Sequence, residues 1–476
     1  MNETDICYMS AIEMVRSIKD KQVSPVEITE AILSRIERLN PKVNAYCTLT
    51  ADSALEQAKK AEKAVVAGET LGALHGVPVS IKDLIFTSGV RTTFGSKIYE
   101  EFIPESDAVV VERLKSAGAI ILGKTNTPEF GFTGITDNLI FGPTRNPWNQ
   151  GRHAGGSSGG AAAAVASGMG PLAIGTDGGG SIRIPSCFCG VFGLKPSFGM
   201  VPRGPGFPDF PEWQTIAHTG PITRTVADAA LTMEVIAGRD DRDRFSLPGD
   251  SPHYLPFNED NLKDLRIAWS PDLGYAVVDS QVLKAAATAA RVFETMGASV
   301  EAATPEIECP AEWMVIYAGT SFASKYANKL PQWRDQMHPR LVDFLENNLN
   351  RSATELTRAM LEREKLWSGI QPFFEEYDLL LTPTMPIAAF DINQFAVTEI
   401  AGVAKKEEDV NWWTPFTYPF NLTGQPAATV PCGWDSDGLP LGFQIVGRRF
   451  GDDTVLRAAA AFEKVVPWAD KQPPLD

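Results

Sequence analysis

The chain has 476 residues, of which 44% are hydrophobic and 21% charged, and its formal net charge at pH 7 is −16. A chain of this length and composition can bury a large core, in one big domain or two. The excess of acidic residues argues against nucleic acid or an anionic membrane as a partner. The sequence opens without a basic segment followed by an apolar one, so we expect no secretory signal and a cytoplasmic location.

The N-terminal region is predicted to be helical. Helices are expected from about Ser10, from Pro25 to about Leu39, and from about Asp52 to Val66. The second is the clearest, because Ser24 and Glu27 form a capping box around a proline at the first helical position.

Short β runs then alternate with helical patterns, which is typical of an α/β sheet covered by helices on both faces. The predicted strands are Val77 to Ile81, Ala119 to Leu122, Leu172 to Gly175, Leu265 to Trp269, Leu379 to Leu381, Ala428 to Val430 and Leu441 to Val446.

Two segments imitate features that we do not expect the protein to have. Residues Gly118 to Thr125 match the phosphate-loop pattern, but the residues between the two glycines form an apolar β run, which predicts a strand and no nucleotide site. The uncharged stretch from Ala154 to Thr176 is long enough to cross a bilayer, but its glycines, serines and Pro171 make it too polar for a membrane helix.

Two glycine-rich segments each contain a serine suited to catalysis. Ser157 lies in Gly155 to Gly160, and Ser181 lies 24 positions further on, directly after three consecutive glycines. Three glycines let the backbone turn tightly and expose its N–H groups to a ligand at close range. This pattern predicts that Ser181 is a nucleophile with its own oxyanion site.

A lysine, and not a histidine, is the predicted base. None of the five histidines lies in the Gly-x-Ser-x-Gly context of a nucleophile elbow, so the sequence does not indicate a Ser-His-Asp triad. Lys82 ends the apolar run His75 to Ile81, and a lysine at the end of a buried strand can lose its proton near neutral pH through desolvation.

Each of these features alone has a more ordinary interpretation. Gly155 to Gly160 could be a flexible linker, and a lone lysine at a strand end is more often on the surface. The alanine-rich run Ala161 to Ala166 argues against a linker, because it favours a helix whose N-terminus is the glycine loop.

Taken together, Lys82, Gly-Gly-Ser-Ser-Gly-Gly and Gly-Thr-Asp-Gly-Gly-Gly-Ser-Ile-Arg-x-Pro resemble the signature of the amidase signature family. Further segments are similar to that family, namely Gly193 to Pro196, Gly220 to Asp228 and Asn421 to Ala427. The resemblance therefore covers nearly the whole chain.

The resemblance implies a Ser-cisSer-Lys triad, with Ser181 as nucleophile, Ser157 on a cis peptide as the bridge, and Lys82 as the base. Backbone N–H groups of the glycine loop and of Ser181 would hold the attacked carbonyl oxygen. The implied oxyanion and substrate-binding positions are Gly131, Ser158, Gly178, Gly179 and Gly180. We call residues Gly178 to Ser181 the nucleophile loop. The residues expected to hold this loop in place are Thr176, Asp177 and Arg183.

The resemblance also implies one large mixed sheet in a single domain, residues 1–476. Its parts are a helical N-terminal region (1–70), a signature core (75–230), a polar connection (239–261) and a second half that completes the sheet (262–476). No cofactor or metal is expected, because Cys187 and Cys189 lack the partners of a metal site and fit small, buried packing behind the nucleophile loop. The oligomeric state stays open, a homodimer included.

Two aromatic, proline-containing loops are candidate walls for an apolar acyl or aryl group, although each residue could equally pack on the core. Their candidate wall residues are Phe207, Phe210, Trp213, Trp412 and Trp413. Two functions remain open: a stand-alone hydrolase of small aryl or alkyl amides, with carbamates as related substrates, and the ammonia-producing subunit of a transamidase acting on charged transfer RNA. The aromatic loops favour the first.

Overall fold

The computed structural model describes residues 2–204, 215–257, 262–406 and 412–475. The helices are α1 (Glu3–Tyr8), α2 (Ala11–Lys19), α3 (Pro25–Val43), α4 (Ala51–Ala67), α5 (Val109–Ser116), α6 (Gly159–Ala166), α7 (Arg183–Cys189), α8 (Val226–Ile236), α9 (Ser280–Thr295), α10 (Ala311–Tyr326), α11 (Leu330–Trp333), α12 (Pro339–Glu346), α13 (Ala353–Glu376), α14 (Pro419–Thr423) and α15 (Asp452–Val465). The strands are β1 (Tyr46–Leu49), β2 (Pro78–Lys82), β3 (Ile120–Thr125), β4 (Leu172–Asp177), β5 (Phe192–Lys195), β6 (His218–Thr223), β7 (Arg266–Trp269), β8 (Ser299–Ala302), β9 (Leu379–Pro383), β10 (Glu399–Ile400), β11 (Val403–Ala404), β12 (Ala427–Trp434) and β13 (Pro440–Gly447).

Eleven strands form one mixed sheet, in the order β1-β3-β2-β4-β6-β5-β12-β13-β9-β7-β8. Strand β2 runs parallel to β3 and β4, whereas β12, β13 and β9 pair antiparallel. The prediction of a single large mixed sheet is therefore confirmed. The two halves of the chain meet inside it, because β5 pairs with β12.

Helices cover both faces of the sheet. The central strands β2, β6 and β13 are buried along their whole length, which requires cover on each side. Helices α6 and α7 pack on each other and on the sheet, and α8, α9 and α15 form a second packed group. The core lies between these layers and the strands.

The predicted elements correspond closely to the observed ones. The capping box of Ser24 and Glu27 is present at the start of α3, and all seven predicted strands are found. The phosphate-loop look-alike contains β3, a buried strand, as predicted. Residues 239–257 contain no helix or strand.

Strands β1, β5, β6, β8, β10 and β11 are not among the predicted strands. They are two to six residues long, and β5 and β6 contain glycine or proline, which weakens a strand signal. Within the described ranges, no helix is long and apolar enough to cross a membrane.

Candidate active site

The two strands that carry the predicted base and the nucleophile loop are parallel neighbours. Ile81 of β2 lies opposite Ile174 of β4, so both strands end at the same edge of the sheet. Strand β2 ends at Lys82 and β4 ends at Asp177, directly before the three glycines. The topology thus brings Lys82 and the nucleophile loop together, although they are far apart in sequence.

Lys82 is completely buried and points at Ser157. Its Nζ lies 2.7 Å from Ser157 Oγ and 2.9 Å from Thr176 Oγ1. Burial lowers the pKa of Lys82 well below its ordinary value of 10.5, and the nearby charge of Arg203 lowers it further, against the opposing effect of Asp177. A lysine in this environment can be neutral at working pH and accept a proton.

Ser157 sits on a cis peptide bond with Gly156 and is almost fully buried. Gly131 faces it: a Cβ at this glycine would lie 3.3 Å from Ser157 Oγ and 2.8 Å from the Leu84 side chain. Gly131 also has a φ of +71°. The position favours glycine because this backbone conformation is unfavourable for other residues and because a side chain would collide with Leu84.

Ser158 links the two glycine-rich segments through hydrogen bonds. Its Oγ donates to the Thr176 carbonyl at 3.2 Å, and its N–H donates to the carbonyl of Ser181 at 3.1 Å. Ser158 therefore supports the loop that carries Ser181.

Ser181 is partly exposed and borders a cavity. Its Oγ makes no hydrogen bond with any residue in the described ranges. Hydrogen bonds between catalytic groups are often long or unformed in an empty site and tighten when the substrate binds.

A buried ion pair holds the nucleophile loop. Arg183 donates to both oxygens of Asp177 at 3.0 Å, and Asp177 accepts from the N–H groups of Gly180 at 2.7 Å and Ile182 at 3.2 Å. Burial alone would raise the pKa of Asp177, but the Arg183 guanidinium outweighs it and holds that pKa well below its usual range. The pair is therefore charged and fixes the loop.

The N–H of Gly180 is occupied by this contact with Asp177, which narrows the predicted set of oxyanion donors. The N–H groups of Gly178, Gly179 and Ser181 make no backbone or side-chain hydrogen bond in the described structure. These three remain available to a substrate oxygen, and Gly180 is better described as part of the loop support.

The cavity beside Ser181 has a volume of about 150 Å³ and is lined by apolar and aromatic side chains together with hydroxyl groups and glycine backbone. Its described lining residues are Gly131, Phe132, Thr133, Gly134, Gly179, Ser181, Ile184, Met314, Val315, Ala318, Phe344, Trp413, Thr414 and Tyr418. None of these carries a charge.

Of the predicted wall residues, Trp413 lines the cavity, with its ring packed against Gly134, where a Cβ would come within 2.8 Å of the indole. Trp412 was expected in the same wall, but it is not among the described lining residues: its Nε1 donates to the Val397 carbonyl at 2.8 Å, and its ring packs in the same apolar cluster as Trp413. Phe207, Phe210 and Trp213 lie outside the described residues.

Several residues that support or line the site were missed at the sequence level. Arg183 also donates to the Thr417 carbonyl at 2.8 Å, to Gln444 Oε1 at 2.9 Å and to Asn421 Oδ1 at 2.5 Å, all in the second half of the chain. Met314 and Tyr418 line the cavity from that half as well. The available signal was weak: Asn421 lies in the segment Asn421 to Ala427, which is similar to the family, but nothing in that segment indicates a contact with Arg183.

The family model described as "Amidase" matches residues 27–456. The match spans most of the chain and includes both glycine-rich segments and Lys82. The chain belongs to the amidase signature family and is an amide-hydrolysing enzyme.

Individual relatives include both kinds of enzyme that the sequence leaves open. The chain is 43% identical to an acylamidase of Rhodococcus erythropolis, over 99% of this chain and 98% of the relative. It is 37% identical to a glutamyl-tRNA(Gln) amidotransferase subunit of Carboxydothermus hydrogenoformans, over 99% of this chain and all of the relative. A crystal structure of a bacterial aryl acylamidase of the amidase signature family superposes with a TM-score of 0.90 at 33% identity, covering 97% of each chain.

Proposed function

We propose that the protein hydrolyses uncharged amides through an acyl-enzyme, with Ser181 as nucleophile, Ser157 as proton relay and Lys82 as base. The 2.7 Å contact between Lys82 Nζ and Ser157 Oγ supports the relay, and the position of Ser181 at the cavity supports its role as nucleophile. A lysine base needs the lowered pKa that burial gives Lys82.

In the first half of the reaction, Ser181 Oγ forms a bond to the amide carbon while its proton passes to Ser157, whose own proton passes to Lys82. The tetrahedral intermediate then collapses, the C–N bond breaks, and the proton returns along the same path to the departing nitrogen. In the second half, a water molecule attacks the acyl-enzyme by the same relay, releasing the acid and restoring Ser181.

The N–H groups of Gly178, Gly179 and Ser181 would stabilise the negative oxygen of both intermediates. Such donors are effective because they are fixed before the charge develops, and the loss of one typically costs about 3 to 4 kcal/mol. The contacts of Asp177 and Arg183 supply this fixation.

The cavity lining is the observation that favours a stand-alone amidase over a glutamine-hydrolysing subunit. Glutamine carries an α-ammonium and an α-carboxylate, which would lose hydration on entry and need charged or polar partners. The described lining has no charged side chain and combines hydroxyl groups with aromatic and aliphatic side chains such as Phe132, Met314 and Trp413. We infer that the substrate is a neutral aryl or alkyl amide, with aryl carbamates as related substrates because their carbonyl has the same trigonal geometry.

The test is to assay the purified chain alone against anilides, aliphatic primary amides, aryl carbamates and glutamine. We expect anilides to give the highest kcat/KM, because an aniline is a better leaving group than an alkylamine and its ring fits an apolar wall. The names of the acylamidase relative and the aryl acylamidase structure support the same choice. A preference for glutamine would instead favour the transamidase role.

A further inference from the structure

His218 is a buried group next to the nucleophile loop that the proposed reaction does not use. It lies on β6 directly opposite Asp177, and only 3% of its surface is exposed. Its Nδ1 is 3.2 Å from the carbonyl oxygen of Asp177. A carbonyl oxygen can only accept, so a hydrogen bond in this contact requires the hydrogen to be on Nδ1.

The other ring nitrogen faces Lys195. His218 Nε2 lies 3.4 Å from Lys195 Nζ, which also donates to the carbonyls of Gln425 and Pro196. The Nδ1–H tautomer lets His218 donate to Asp177 and accept from Lys195, and it leaves the longer 3.5 Å approach of Asn421 Nδ2 to Nδ1 without a hydrogen bond. Burial, with the adjacent Lys195, lowers the pKa of His218 well below 6.5, in accord with a neutral ring.

The contacted carbonyl belongs to the same peptide unit as the N–H of Gly178. In a planar trans peptide the C=O and N–H point in opposite directions, so a group that holds the oxygen also aims the hydrogen. Asn421 Nδ2 donates to the same oxygen at 3.0 Å, which gives this peptide two side-chain contacts.

Two of the three following peptides of the loop are also held through their carbonyls. The Gly179 carbonyl accepts from Thr417 Oγ1 at 2.7 Å, and the Gly180 carbonyl accepts from the N–H of Ile184 at 2.7 Å. The latter peptide carries the N–H of Ser181. In the peptides Asp177–Gly178, Gly179–Gly180 and Gly180–Ser181, a hydrogen bond to the carbonyl oxygen therefore fixes the direction in which the N–H on the opposite side points.

We propose that His218 is a positioning residue, which holds the Asp177–Gly178 peptide so that the Gly178 N–H points at the oxygen that becomes negative in the reaction. A carbonyl that accepts a hydrogen bond also polarises its peptide and makes the N–H a stronger donor. Lys195 supports this role by fixing the tautomer of His218. The inference rests on the proposed function, since it assigns a use to the same oxyanion donors.

The experiment compares His218→Leu with His218→Gln, because glutamine can donate to the Asp177 carbonyl and accept from Lys195, whereas leucine can do neither. We expect His218→Leu to lower kcat for an anilide about 10- to 100-fold with KM changed less than about threefold, since the loss of a full oxyanion donor costs 10² to 10³. His218→Gln should retain most of the activity. Ile222→Val, at a buried position of the same strand, is the matched control and should leave kcat unchanged.

A second measurement separates positioning from a general loss of stability. An aryl boronic acid forms a tetrahedral adduct with a serine nucleophile, whereas the free carboxylic acid product resembles the ground state. In His218→Leu the inhibition constant of the boronic acid should rise in parallel with the fall in kcat, and that of the product should not change. If His218→Leu does not fold, His218→Met tests the same expectation.

Wild-type kcat and boronic acid affinity in a folded His218→Leu or His218→Met variant would overturn the inference while leaving the amidase proposal intact. Equal losses in the leucine and glutamine variants would also overturn it, because the hydrogen bonds would then not matter. A wild-type protein without amidase turnover would instead overturn the proposed function.

Discussion

Ser181 supplies the oxygen that the proposed reaction bonds to the substrate. We expect Ser181→Ala to remain folded and to lose all but a residual rate, because without this oxygen no acyl-enzyme can form and only binding and oxyanion stabilisation remain. Activity on an anilide and the thermal unfolding midpoint test both parts. An acyl adduct found by mass spectrometry on another residue of the wild type would contradict the assignment.

Lys82 must be neutral to accept a proton, which fixes the sign of the pH dependence. The fraction of neutral lysine rises with pH through its pKa, and burial places that pKa well below 10.5. We therefore expect kcat/KM to fall toward acid pH and to rise to a plateau.

Two variants test the same residue. Lys82→Ala should lose nearly as much activity as Ser181→Ala, since members of a triad act as a unit. Lys82→Arg should not restore activity, because a guanidinium keeps its proton at any working pH. A pH-independent rate in the wild type, or activity in Lys82→Arg, would argue against a lysine base.

At the level of elements, the sequence signals were strong where local chemistry alone determines structure. The capping box before α3 and the glycine loop after β4 could be recognised without tertiary information. The cavity wall could not be, because Met314 and Ala318 lie on α10, more than 130 positions after Ser181. Nothing in the sequence of α10 itself indicates that this face lines the same cavity as Ser181. The same is true of Asn421 and Gln444, whose polar groups are explained only by the buried Arg183.

Helix α10 should set the size of the acceptable substrate. Met314, Val315 and Ala318 line the cavity, and its volume of about 150 Å³ is comparable to that of an engineered apolar cavity that holds one benzene ring. We expect Met314→Ala to raise kcat/KM for a naphthyl substrate relative to a phenyl one by roughly tenfold, and Ala318→Leu to lower kcat/KM for phenyl substrates by a similar factor. Acetamide, which does not fill the cavity, should respond little.

Met360→Ala provides the matched control for these variants, because this methionine is exposed on α13, with 52% of its surface accessible. It should leave the ratio between naphthyl and phenyl substrates unchanged. Equal effects of Met314→Ala on acetamide and on both aryl substrates would show that α10 acts as scaffold and not as a size filter.

For the whole molecule, the active site depends on both halves of the chain. The first half supplies Lys82, Ser157 and Ser181. The Arg183 guanidinium, which holds the nucleophile loop, also donates to Thr417, Gln444 and Asn421 in the second half. The sheet is continuous across the two halves, because β5 is the neighbour of β12. A buried arginine that loses some of its hydrogen-bond acceptors destabilises the folded state, so the stability of the first half depends on the presence of the second.

This coupling predicts that the signature core cannot function by itself. A fragment of residues 1–257 contains all three proposed triad members, yet it would expose the edge of β5 and leave three acceptors of Arg183 missing. We expect this fragment to lack a cooperative thermal transition and amidase activity, and the full chain to unfold in one transition because its strands share one sheet. Calorimetry and an anilide assay on both proteins, with the full-length Ser181→Ala variant as the folded but inactive control, measure this. A fragment that unfolds cooperatively and turns over substrate would show that the first half is an independent domain, and that the C-terminal strands contribute specificity instead of the frame on which the nucleophile loop depends.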